Sequence, residues 1–215
     1  MSNGIGAGAG TRRGYHHGNL REALVEAGLA LARSGGPGAV VLRAVSREAG
    51  VSHNAAYRHF ADHEDLLAAV GTRCMDRLGQ LMVRRADAVT ETDPIPRAWA
   101  RLEAIGRSYI DFALTEPGWF RTAFCGAGAH PGPPKPPPGT VEPGTNPYLL
   151  LGARLDELVD AGALPAERRP GAEFAAWSAV HGLAQLLVDG PLRALPRTEV
   201  GNAVDTVLAV VTRGL

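Results

Sequence analysis

Arg43, Ser52, His53, Asn54, Tyr57, Arg58, His59 and His63 lie in one short stretch of the chain. None is arranged as a nucleophile beside a base, and no nucleophile elbow, phosphate loop or paired metal ligands occur anywhere in the sequence. What these side chains share is the ability to donate and accept hydrogen bonds and to carry positive charge. Asn can bond adenine through two hydrogen bonds, His can meet a base edge, and Arg and Tyr can hold phosphate oxygens. Offered from one surface, they describe recognition of a nucleic acid and no covalent chemistry.

The elements around them support that reading. Leu42, Val45 and Ala49 are spaced three and then four apart, which puts them on one face of a helix. Gly50 follows, able to take the left-handed conformation that closes a helix end, and Val51 is placed to pack back on the helix it leaves. Ser52 caps a second helix, whose buried side falls to Ala55, Ala56 and Phe60. Helix, short turn with glycine and second helix make a helix-turn-helix, the arrangement that places its second helix in the major groove of double-stranded DNA.

The stretch AGVSHNAAYRHFADHEDLL resembles the DNA-binding domain of the tetracycline-repressor-like (TetR) family of bacterial transcription regulators. The AGVS turn, the Y-x-H-F stretch Tyr57 to Phe60 and the pair Leu66 and Leu67 carry the likeness. The resemblance implies phosphate contacts at Tyr57 and His59. Two positions depart from the family pattern. Val41 stands where a capping Thr or Ser is common, and His63 where Lys is common.

The other helices follow in order. Leu20, Leu24, Ala27 and Leu31 repeat at helical intervals behind Asn19, with Glu22 as a capping-box partner, and SGGPG at 34–38 ends that helix. Asp62 caps a long helix to about Ala88, with Leu66, Val70, Cys74, Leu78, Leu81 and Met82 on one side. At 1.5 Å per residue it extends about 35–40 Å, a rod that leaves the head and enters a second domain. Asp93 to Pro96 breaks the chain, a helix resumes over 97–116, and Pro117 and Gly118 interrupt before a shorter helix with Trp119, Phe120 and Phe124. The segment 126–147 holds eight prolines, a density no helix survives; it reads as a mobile loop or a Pro-rich recognition motif. Helices return over 148–160, about 170–189 and 198–212.

The expected fold is therefore all-α, with about nine helices: a basic, disordered arm (1–14), a three-helix DNA-binding head (15–61) and a helical ligand-binding and dimerisation body (62–215). The arm at Thr11–His17 reads equally as a DNA contact and as a solvated tail. Residues 1–60 hold seven arginines against three glutamates, while the whole chain is formally neutral, the asymmetry of a DNA-binding head on an acidic body. Cys74 and Cys125 match no metal or redox spacing and read as reduced thiols. No apolar run is long enough to span a bilayer and Met1–Gly10 lacks the blocks of a signal peptide, so a cytoplasmic protein is expected.

Near the C-terminus, Trp177, His181 and Gly182 form W-x-x-x-H-G, which resembles the C-terminal ligand-binding domain named for this motif in one branch of the same family. In that family the last two helices pack against their twins as a four-helix dimer interface. The stripes Phe174, Trp177, Ala184, Leu187 and Val200, Val204, Val207, Leu208, Val211 suit that interface and suit an ordinary core equally. Most aromatics lie in the body, and an apolar pocket with a few polar groups is the usual small-molecule site. Tyr109, Phe112, Trp119, Phe120 and Trp177 are the expected walls of an effector pocket, with His181 or Arg107 as polar anchors. No metal or cofactor and no enzymatic activity is expected. The function implied is a homodimeric repressor released from a palindromic operator by a small-molecule effector; an activator or a ligand-independent regulator of the same family is the alternative.

Overall fold

A computed structural model describes residues 19–125 and 146–215. The expected arm at 1–14, the basic run Thr11–His17 and residues 126–145 of the proline-rich segment lie outside the described residues. Within them the chain forms nine α-helices, three short 3-10 turns and no strand. The helices are α1 (Asn19–Gly35), α2 (Leu42–Glu48), α3 (His53–Ala56), α4 (His63–Asp87), α5 (Pro94–Thr115), α6 (Pro117–Ala123), α7 (Pro147–Asp160), α8 (Ala172–Val188) and α9 (Arg197–Gly214).

Two hydrophobic clusters organise them. Leu24, Val25, Leu29, Val40, Leu42, Val45, Ala56 and Phe60 from α1 to α3 close on Leu66, Val70 and Cys74 of α4. The larger cluster joins Leu78, Met82 and Ala86, further along the same helix, to α5 through α9. One apolar stripe at helical spacing thus serves both cores, and each fully buried Leu, Val or Phe along it contributes about 1.5–3 kcal/mol. Asp62 starts this helix, its Oδ1 accepting from the Asp65 N–H at 2.8 Å. Arg73 of α4 reaches back to Glu22 of α1, so Glu22 is tied across the head.

Two boundaries differ from the sequence expectation. The helix expected from Arg97 begins at Pro94, and the one expected after Pro117 and Gly118 begins at Pro117 itself. Proline in the first helical turn lacks a donor that would have no partner there, and its φ already suits a helix; these prolines start helices. Pro147, read with the proline-rich segment, likewise opens α7, whose cap is Asn146.

Candidate nucleic-acid interface and ligand cavity

The turn between α2 and α3 is built as its residue types require. Gly50 has φ +67°; its N–H donates to Arg47 O at 3.2 Å and that of Val51 to Ser46 O at 2.9 Å, the paired bonds of a Schellman motif. Ser52 Oγ accepts from the Ala55 N–H at 3.3 Å. Ala56 and Phe60 are fully buried beneath. Only His53–Ala56 is α-helical; the N–H groups of Arg58 and His59 turn to Ala55 O and Ala56 O, tightening the end of the element.

This geometry leaves His53, Asn54, Tyr57 and Arg58 exposed together, with Tyr57 edge-on to His53 at 4.8 Å between ring centroids. Ser52 is exposed, His59 is half-buried, and His63 is exposed in the first turn of α4. Arg43 is exposed on α2, as is Arg47 one turn along. Arg47 is absent from the expected set, although its i+4 spacing from Arg43 puts the two on one face. Among the described residues, none of Arg43, Arg47 and Arg58 has a carboxylate partner. Val41 caps α2 without a side-chain bond.

The body encloses a cavity between α4, α5, α7, α8 and α9. Its empty space is about 680 Å³ with the open mouth included. Met75 and Met82 of α4 face Leu102, Ile105 and Tyr109 of α5 across it. Tyr148 and Leu151 of α7, Trp177 and Val180 of α8, and Leu208 and Val211 of α9 complete the wall, with Phe124 just beyond α6. Tyr109 is the buried polar centre of this wall: its hydroxyl lies 2.7 Å from His181 Nδ1 and 3.4 Å from Trp177 Nε1. Burial pushes the Tyr109 phenol well above its ordinary value and holds His181 below its usual 6.5. Burial thus favours the neutral His181 imidazole; its Nδ1 shares a hydrogen bond with the Tyr109 hydroxyl, and Trp177 donates to the same oxygen.

Helix α6 joins cavity and head. On one side Phe120 meets Tyr109 edge-on at 5.9 Å, and Phe124 lies 4.8 Å from His181. On the other, Trp119 Nε1 donates to Leu29 O at 2.8 Å, and Glu116 takes a two-pronged bond from Arg33 at 2.6 and 2.8 Å. Gly118 sits directly on the end of α1, where a Cβ would run into the carbonyl oxygens of Ala32 and Arg33.

Comparison with known proteins bears on both halves. Residues 24–70 match the sequence family described as bacterial regulatory proteins, tetR family. Residues 102–211, more than half of the chain, match the family described as tetracyclin repressor-like, C-terminal domain. The chain belongs to the TetR family of transcription regulators. A comparison with curated proteins finds no match. Among solved structures, a protein with unknown function from Rhodococcus sp. RHA1 is 27% identical at a TM-score of 0.70, over 95% of this chain and 99% of that one. A TetR family transcription regulator from Marinobacter aquaeolei VT8 is 17% identical at 0.57, over 89% and 95%. The fatty acid degradation regulator FadR from Bacillus halodurans is 12% identical at 0.62, over 92% and 96%; at that identity the likeness is one of fold.

In this TetR-family regulator the structure places the residues singled out for an effector in different surroundings. Tyr109 and Trp177 line the cavity; Phe112, Trp119, Phe120, His181 and Arg107 lie outside its lining. Phe112 stacks on Trp119 at 6.3 Å between α5 and α6. Trp119 belongs to the contact with the head, Phe120 is fully buried behind Tyr109, and His181 sits behind the wall, bonded to the Tyr109 hydroxyl and packed against Phe124 and Trp177. Arg107 is spent between Glu103 and Asp205, each at 2.8 Å. The lining residues that sequence reasoning missed, Met75, Leu102, Tyr148 and Val211 among them, carry the periodicity of any core position. Phe174 of the expected interface stripe is 63% exposed, whereas Ala184 and Leu187 are buried. Among the described residues no helix is long and apolar enough to cross a membrane, and no group of three or more His, Cys, Asp or Glu is placed to hold a metal.

Proposed function

We propose that this regulator binds a palindromic operator as a cytoplasmic homodimer, represses from it, and is released by a small molecule in the body cavity. The carrying observation is the pairing of an exposed polar face at His53, Asn54, Tyr57 and Arg58 with a cavity walled in part by α4, the helix it shares with the head, and by Phe124 just beyond α6. Asn54 and His53 read bases; Arg43, Tyr57, Arg58 and His59 hold phosphates, with Ser52 and His63 at the flanks. Leu186 and Val210, 42% and 58% exposed on α8 and α9, support a second copy packing there.

Release follows from differential binding. A ligand favouring a conformation with the two heads at the wrong separation lowers operator affinity by its preference for that state. The path runs through Phe124 and α6 to the end of α1, and along α4. Footprinting on DNA upstream of the regulator's gene tests the reading: a protected palindrome with half-sites about 34–36 Å apart is expected. Absence of a protected palindrome, or a protein that stays monomeric, overturns it. Reporter expression that rises when the regulator is present overturns repression alone.

A further inference from the structure

The cavity's wall is almost without polar surface, and its few polar groups are already committed. Among the described residues, no arginine, lysine or histidine lines it. Its one charged residue, Glu103, is paired with Arg107 at 2.8 Å, and Arg107 is also held by Asp205. A charged ligand of either sign would leave water without a free counter-charge to meet it, a loss that a close partner must offset. The Tyr109 hydroxyl is used by His181 and Trp177, and Thr212 Oγ1 donates to Ala209 O at 3.2 Å. Tyr148 differs: it lines the cavity, half-buried and edge-on to Trp177 at 5.5 Å, and its hydroxyl has no partner among the described residues.

We propose that the cavity takes an uncharged ligand with a hydrocarbon or aromatic body and a single hydroxyl or carbonyl group bonded to Tyr148. This rests on the cavity being the effector site and narrows it to one ligand class. Met75, Leu102, Ile105 and Val180 of the wall meet the apolar body, and Tyr148 fixes the orientation.

The test is calorimetric titration of the full chain with four seven-carbon probes: 1-heptanol, n-heptane, heptanoate and heptylammonium. 1-Heptanol is expected to bind at least about tenfold more tightly than either ion. Tyr148→Phe is expected to weaken 1-heptanol by about two- to tenfold and leave n-heptane unchanged, which a merely structural tyrosine would not do. Heptanoate or heptylammonium binding as tightly as the alcohol overturns the uncharged class while leaving the cavity as an effector site. Equal losses for alcohol and hydrocarbon in Tyr148→Phe overturn the role of the hydroxyl. If no probe binds, the ligand class is overturned; the footprint, which needs no ligand, still judges the operator reading independently.

Discussion

Asn54 and Tyr57 stand side by side on one exposed surface yet are assigned different work, and that difference is measurable. Asn54→Ala should cost about 1–3 kcal/mol on the preferred operator and flatten the preference at the base it reads, whereas Tyr57→Ala should weaken binding to all sequences alike. Gel shifts on the operator and on single-base variants check this; parallel losses in both variants would mean the faces are misassigned. His181 makes a second residue-scale prediction. Its folded pKa lies below the unfolded 6.5 because burial disfavours the charged form. As pH falls below about 6.5 the unfolded chain takes up a proton that the folded chain resists, so stability drops from there down to the folded pKa. Melting temperatures from pH 7.5 to 5 should therefore fall less in His181→Gln than in the native protein. Cys74 is the opposite case, a group kept silent: burial first, then the neighbouring Cys125, pushes its thiol up to about 12, and it packs as a small apolar residue.

At the scale of elements, α6 matters more than its seven residues suggest. Gly118 allows its first turn to rest on the carbonyl end of α1, with Trp119 and Glu116 bonded to α1 on either side. In Gly118→Ala the new methyl meets backbone, which cannot swing away as a side chain can. A loss of about 1–3 kcal/mol is expected, read by urea unfolding, together with a weaker effect of any cavity ligand on operator binding. Stability at the native level would show that α6 can move off α1 without cost. The cap of α3 is the smaller contrast: Ser52→Ala removes one bond to the Ala55 N–H and should cost about 1 kcal/mol.

For the whole molecule, the 25 residues of α4 form a rod of about 37 Å with one end in each hydrophobic cluster. In the proposed dimer, two such heads can meet successive major grooves only at a set separation. Inserting about five base pairs between operator half-sites turns one to the opposite face of the duplex and should abolish cooperative protection, while about ten should restore much of it. Footprints indifferent to both insertions would mean the heads bind independently.

The residues and short spacings determined much of this by themselves. The Gly50 turn and the Ser52 and Asp62 caps depend on bonds made within a few residues, so local sequence specifies them completely. The all-α architecture, nine helices among the described residues, follows from apolar periodicity of the same local kind. What needed the tertiary structure was every relation between distant elements. Tyr109 and Trp177 line the cavity while Phe112, Trp119 and Phe120 do not, because an aromatic on a buried helix face looks the same in sequence whether its neighbour is another helix or empty space. Pro117 opens a helix, although the same residue ends helices elsewhere. Above all, Gly118 meets α1 more than eighty residues back along the chain; no local pattern encodes that contact, and only the packing of α6 against the head revealed it.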